Sequence, residues 1–379
     1  MLGVTIASLT AAVASPPIGM FVDRSGPRLL MVLAAAMTGG TLIALSQVHE
    51  VWLFLLLFGG VLGLARPVLQ AVGAQTTVAK WFIRRRGRAV TFSTLGLPLS
   101  AVVIIPFTQW MVEGFGWRAA WSVLGAGVLM MLMLPAGLFM RGRPEDLGLR
   151  PDGDPAESVT GPVVPGPHPA SRPQHQEFDW SPKEAFRTRA FWMLSIGFAI
   201  IGIVPTILNI HMFPHFTDQG IAPATAAAAN GSYGFWVMGS RIFFWGFALE
   251  RLPIRRALVI WAALLTTAIS FMILVNNALL AFAAAACFGL AMGGSAPLGT
   301  LTWARYFGRN SLGTITGVAN LVGIVNDVVG PIMPSLVYDF TGNYRGAFAA
   351  TALACLLAIG IFALAGAPRE QVAPRRTRR

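Results

Sequence analysis

Gly19-Met20-Phe21-Val22-Asp23-Arg24-Ser25-Gly26-Pro27-Arg28 lies between two apolar runs, and a shortened copy of it returns late in the chain. Gly19-x-x-x-Asp23-Arg24 recurs as Gly246-x-x-x-Glu250-Arg251. Other landmarks repeat at nearly the same distance. Gly63-Leu64-Ala65 becomes Gly289-Leu290-Ala291, Gly73 becomes Gly299, and Gly87 becomes Gly313, all three at one shared offset that the Gly19 motif misses by a single position. Gly116-Trp117-Arg118-Ala119-Ala120 resembles Gly342-Asn343-Tyr344-Arg345-Gly346-Ala347. A near-constant offset across separate landmarks implies two structural repeats.

The composition places those repeats in a membrane. Apolar residues make up 55% of the chain and charged residues only 12%, about half the usual share of a soluble chain. Uncharged runs such as Ala89–Val112, Ala119–Met140 and Ala257–Ala304 reach or exceed the ~20 residues that cross a bilayer. About eleven membrane helices are expected, near 1–20, 29–48, 51–75, 89–112, 119–140, 190–213, 224–248, 257–275, 279–302, 312–336 and 346–366. The fold class is an all-α membrane protein of two pseudo-symmetric helix bundles. Repeats of this kind put a substrate site between the halves.

The net charge of +12 is arranged by side. Alternate loops hold nearly all of the 28 Lys and Arg side chains; Arg118 and Arg345 fall on the other side, and Arg66 and Arg241 lie inside spans. This bias marks the basic loops and the C-terminus as cytoplasmic. No continuous basic face suggests a nucleic-acid partner; the lipid bilayer is the expected partner, and the basic tail 369–379 sits near anionic lipid. Cys287 and Cys355 fall in apolar spans and read as small buried hydrophobes, with no disulfide or metal framework. No P-loop, catalytic constellation or cofactor motif occurs.

The expected organisation is a first half over 1–140, a Pro- and Gly-rich cytoplasmic linker over 141–189, a second half over 190–368 and the tail. The linker ends in Ser181-Pro182-Lys183-Glu184, a capping box with Pro at the first helical position. It opens a short amphipathic helix with Phe178, Trp180 and Phe186 on its apolar side, expected at the membrane surface. Gly246 stands two spans into the second half, which opens at Ala190, whereas its counterpart Gly19 closes the first span after Met1. The first half is therefore expected to have five helices and the second six, with the opening helix missing.

The motifs resemble those of the major facilitator superfamily. Gly19 to Arg28 is similar to its G-x-x-x-D-R-x-G-x-R loop, with Glu250-Arg251 at the pseudo-equivalent place. Trp81-Phe82 followed by Arg85-Arg86-Gly87, Gly116-Trp117-Arg118-Ala119-Ala120, and Arg143-Pro144-Glu145-Asp146-Leu147-Gly148-Leu149 resemble the WF-x-x-x-RG, GWRAA and RPEDLGL of the monocarboxylate and oxalate/formate porter branch. The resemblance implies secondary transport of a small organic anion by alternating access. It also implies that Gly19, Asp23, Arg24, Arg28, Glu250 and Arg251 form cytoplasmic gates. Arg66, as Leu62-x-x-x-Arg66, resembles the family's fourth-helix arginine, and Arg241 the eighth-helix arginine associated with carboxylates. The eleventh-helix lysine of oxalate/formate relatives is absent; Lys80 and Lys183 are the only lysines.

Arg66, Arg241 and Asp327 are the ionisable residues expected within the hydrocarbon core. A charge there usually faces a cavity or a partner. None has a charged counterpart in the other repeat: the equivalents are Met292, Ala14 and Ser100. Scaffold features should recur, so these three read as functional, the arginines as carboxylate ligands and Asp327 as the carrier of a coupled proton. An Arg241–Asp327 ion pair is the structural alternative. Gln70 and Asn209 are candidate substrate contacts, and Gln75, Asn230, Asn320 and Asn326 could also line a cavity. His211 and His215, at the outer end of their span, read as solvated interfacial side chains, and Trp52, Trp110 and Trp117 as interface anchors. Gly289-x-x-x-Gly293-Gly294 and Gly313-x-x-x-Gly317 suit close helix packing. The expected protein is a monomeric secondary transporter of a small, monocarboxylate-like anion, by proton symport or exchange, in a bacterial cytoplasmic membrane. Efflux of a drug or metabolite, or a truncated chain without transport, are the alternatives.

Overall fold

The structure, a computed structural model, describes residues 2–153 and 179–366. The Pro-rich middle of the expected linker, Phe178 and the basic tail lie outside the described residues. Eleven helical rods follow in order: α1 (Leu2–Ser25), α2 (Arg28–Leu45), α3 (Val51–Trp81), α4 (86–115), α5 (117–139), α6 (Arg189–Asp218), α7 (223–251), α8 (Ile254–Leu274), α9 (Ala278–Phe307), α10 (Leu312–Thr341) and α11 (Arg345–Leu364). No strand occurs among the described residues. Within the rods the backbone hydrogen bonds are helical, as a bilayer demands. The loop expected between α4 and α5 shrinks to one residue, Gly116, at φ 83°.

Two bundles form, α1–α5 and α6–α11. Small residues set their spacing. A Cβ on Gly39 of α2 would lie 2.8 Å from the Gly125 carbonyl oxygen of α5. On α9, a Cβ at Gly289, Gly293 or Gly294 would strike Trp236, Ser240 or Trp245 of α7, as the small-residue spacing predicted. Buried side chains concentrate in the second bundle, around Phe191, Leu265, Phe288 and Phe362. Outward faces carry exposed apolar side chains such as Met131 and Phe139, which suits contact with lipid.

The halves meet most closely where α1 crosses α10. A Cβ on Gly19 would fall 2.1 Å from the Gly313 carbonyl oxygen, and one on Gly317 would fall 2.4 Å from that of Ser15. Backbone touches backbone at both points. The capping box forms: Ser181 N and Oγ donate to the Glu184 carboxylate at 3.0 and 2.7 Å. Those bonds hold the Glu184 carboxyl below the usual carboxylate range. The short helix Pro182–Phe186 docks on protein. Trp180 N donates to the Phe307 carbonyl and its ring meets Phe307 edge-on, while Phe186 packs on Phe191.

Gly19→Val inserts a branched side chain where a single Cβ already collides. Overpacking of this kind costs about 1–3 kcal/mol, so the melting temperature of detergent-purified protein should fall by several degrees, with Gly40→Ala, which meets open space, as the unaffected control.

Candidate functional site

At the end of the bundles that carries the arginine-rich loops, two matched latches join the halves. In the first, Asp23 leaves the end of α1 and caps α10. Its Oδ1 accepts from Gly313 N at 3.0 Å and its Oδ2 from Thr314 N and Oγ1 at 2.7 and 2.8 Å. Lys80 Nζ completes the set at 2.8 Å from Oδ1, and both side chains are nearly buried. A carboxylate at a helix N-terminus meets unpaired N–H groups and the positive end of the helix dipole. In the second latch Glu250, at the end of α7, pairs with Arg88 near the start of α4 at 2.9 Å. The Arg88 guanidinium also lies over the Phe247 ring. Gly313 and Thr314 are the repeat equivalents of Gly87 and Arg88, so the latches are related by the duplication. Arg309 adds a third strap, donating to the Lys80 carbonyl and the Glu145 carboxylate.

The expected gate residues therefore divide. Asp23 and Glu250 bridge the halves and Gly19 permits their approach. Arg24, Arg28 and Arg251 do not bridge; they are exposed and their side chains make no hydrogen bond or ion pair with a described residue. Arg88, Thr314 and Arg309 take the bridging roles. Only the offset between Gly87 and Gly313 hinted at them.

Between the halves lies a cavity of two adjoining lobes, roughly 380 and 690 Å³. Arg66, Gln70, Ser295, Gly299, Trp303 and Asn320 line both. Arg66 stands at the midpoint of α3 and Asp327 at that of α10. At about 1.5 Å of rise per residue, each is roughly 21–22 Å along its helix from the nearest end. Arg66 has an exposed side chain and no carboxylate within ion-pair distance among the described residues; Nη1 donates to Ser8 Oγ at 3.4 Å. The smaller lobe continues past Arg66 to Asp327, beside Phe198 and Trp261. The larger runs to Arg241, Thr94 and Ser100.

Arg241 lines the larger lobe, where its guanidinium is held by main-chain carbonyls. It does not pair with Asp327. Nε donates to the Gly293 carbonyl at 3.1 Å, Nη2 to that of Met292 at 3.2 Å, and Nη1 to that of Thr94, in the other half, at 2.6 Å. It is 1% exposed, in a widened turn, Ser240–Trp245. Three of its five N–H donors serve backbone. Asn209 does not line either lobe; it is exposed on α6. Asn326 and Asn320 line the cavity instead. The solvated reading of the histidines also fails. His211 and His215 are 5% and 1% exposed, contacting the Pro331 carbonyl of α10 at 3.3 Å and the Met272 carbonyl of α8 at 2.7 Å. His215 packs edge-on against Phe348. A helical face bearing His211, His215 and Val204 is apolar enough to bury, and the carbonyls come from Pro331 on α10 and from Met272 in the last turn of α8.

The sequence profile of the Major Facilitator Superfamily matches residues 1–324 and 212–379. The chain belongs to the major facilitator superfamily. It is a multi-pass membrane transport protein, not an enzyme. It is 27% identical to monocarboxylate transporter 11 of Mus musculus over 97% of this chain and 78% of that protein. It is 24% identical to the oxalate:formate antiporter of Oxalobacter formigenes over 65% of this chain and 53% of that one. By structure it resembles the E. coli fucose:proton symporter, with TM-score 0.73, 11% identity, and coverage of 96% of this chain and 90% of the other.

Asp23→Asn removes the charge from the α10 cap and the Lys80 pair. Loss of a cap costs about 1 kcal/mol, or roughly fivefold in an equilibrium. Ser15→Cys places a thiol in the buried α1–α10 seam. Combined with Asp23→Asn, it should react with a membrane-impermeant thiol reagent about five times faster from the basic face than it does with Asp23 intact.

Proposed function

We propose that this protein carries a small organic anion, of the monocarboxylate type, across the membrane by alternating access. The reading rests on one observation above the others. Arg66 is a cation midway along a membrane-spanning helix, open to a cavity and unpaired with any described carboxylate. A charge so placed is expensive without a counter-ion, and an entering carboxylate supplies one through two parallel hydrogen bonds. The names of the relatives, monocarboxylate transporter and oxalate:formate antiporter, favour the same class.

The positive-inside bias makes the latched end cytoplasmic, so the arrangement described here is the outward-facing one, sealed on the inside by Asp23, Glu250 and Arg309. The cycle then requires those latches to part while a second seal forms at the opposite end. Asp327, in the same lobe as Arg66, is the group we assign to proton coupling. With the substrate's charge on Arg66, a proton on Asp327 leaves the smaller lobe, whose charged lining is those two residues, neutral. Gln70 and Asn320 serve as neutral hydrogen-bond partners. Arg241 enters this scheme as an inter-half tie that an anion can reach from the larger lobe.

Uptake of labelled short monocarboxylates into proteoliposomes, with and without a proton gradient, tests the reading. A hydrogen bond to a charged group contributes about 1.5–3 kcal/mol. Arg66→Ala should accordingly weaken half-saturating uptake by roughly 10- to 100-fold. Asp327→Asn should abolish proton-driven uptake and spare counterflow exchange. Uptake that is indifferent to Arg66, or dye extrusion in place of carboxylate uptake, would sink it.

A further inference from the structure

Two of the three carbonyls that hold Arg241 share a feature of sequence. Thr94 and Gly293 each stand one helical turn before a proline, Pro98 and Pro297. In a helix the carbonyl of a residue accepts from the N–H four places later, and proline has none. Thr94 closes the helical stretch Arg86–Ser93 at a break before Gly96, where its oxygen accepts from Leu97 N at 3.4 Å and Pro98 withholds the donor that a continuous helix would supply. The Gly293 oxygen, inside α9, loses its donor in the same way. Arg241 reaches both, with Nη1 at 2.6 Å from Thr94 and Nε at 3.1 Å from Gly293. One guanidinium thus satisfies two carbonyls orphaned by proline, one in each half. An orphaned carbonyl at membrane depth needs such a donor. Neither proline recurs in the other repeat: the equivalents of Pro98 and Pro297 are Ile324 and Ala71. The arrangement is therefore not part of the duplicated frame.

We propose that Pro98 is a positioning residue of the transport cycle. It creates the acceptor at Thr94 through which Arg241 ties the second half to the first at the level of the cavity. Pro297 does the corresponding work within the second half, fixing the guanidinium against α9. The Thr94 bond crosses the dividing plane and must break when the latched end opens; the Gly293 and Met292 bonds lie within one half and travel with it. Thr94 and Arg241 both line the larger lobe. A carboxylate arriving there is a charged acceptor, stronger than a carbonyl, and competes with Thr94 for Nη1. Substrate therefore loosens the tie at the moment it occupies the site. This last step rests on the anion reading given above; the tie itself does not.

The experiment separates the two. Pro98→Ala restores an N–H at position 98, returns a helical donor to Thr94 and weakens the claim of that carbonyl on Arg241. Alanine favours helix, and Pro98→Ser, which also restores the N–H, guards against a defect peculiar to one variant. Both are compared with Pro297→Ala in a background lacking Cys287 and Cys355 and carrying Ser15→Cys. The full chain is reconstituted without substrate, its monodispersity checked, and thiol labelling followed from the basic face. Loss of a net hydrogen bond across the seam should raise the labelling rate about fivefold in both Pro98 variants and leave Pro297→Ala within about twofold. Labelling equal to the parent in folded Pro98 variants, or an equal rise in Pro297→Ala, overturns the proposal. Labelling is then repeated with lactate. A rise in the parent that is absent from Pro98→Ala supports release by substrate. A Pro98 effect without any response to lactate keeps the tie and removes its link to the anion, and the Arg66→Ala uptake comparison shows independently whether the anion reading itself has failed.

Discussion

A carboxylate from one half caps a helix of the other, and the closed end of this molecule depends on that bond. Asp23 gives both oxygens to the first turn of α10 while Lys80 neutralises it from α3. The bond works because it is short, charge-assisted and mostly shielded from water. It also works because it is local. α10 begins where α1 ends, and Gly19 and Gly313 let the backbones touch just beyond. If the carboxylate is released, the donors of residues 313 and 314 face water, which is an acceptable partner at a membrane surface. Strength in one state and tolerance in the other are what a reversible seal requires.

Much of this was legible in the chain. The near-constant offset between landmarks predicted the two halves, and it also pairs the Asp23 latch with the Glu250–Arg88 latch. The glycine spacings on α9 and α10 predicted contacts that the structure has. The failures are equally instructive. Arg24, Arg28 and Arg251 share the motif with Asp23, yet a helix N-terminus offers donors and attracts an acid, so the neighbouring cations stay in solvent. His211 and His215 were misread because position near a span end suggests water. Their actual partners are main-chain carbonyls on α8 and α10, and backbone acceptors leave no mark in a list of side chains. The alternative of an Arg241–Asp327 pair fails for the same reason. The arginine's partners are oxygens of Thr94, Met292 and Gly293, invisible as residue types; two of the three are found only by asking which carbonyl a proline deprives.

The three charges at membrane depth differ in the environments they have been given. Arg66 and Asp327 face open volume and have no ionic partner among the described residues. Arg241 is enclosed and held by three dipoles. Dipoles stabilise a cation without neutralising it, so the field of Arg241 still reaches the cavity. Two positive centres and one negative one thus border the same space, which favours the entry of one anionic charge. The frame and the cavity charges follow different rules. The latches respect the repeat and the cavity charges ignore it, so the duplication supplied a symmetric shell in which one-sided substitutions could accumulate without disturbing closure.

The glycine crossing of α1 and α10 has a kinetic consequence. Gly19, Gly313 and Gly317 put no side chain of their own between the helices, so backbone meets backbone at those crossings. Surfaces locked by interleaved side chains part only after rotamers rearrange. Smooth backbone faces separate by sliding, against dispersion forces and a few polar bonds. The seam should behave as a bearing rather than a zip, with a shallow temperature dependence for the rate at which it opens.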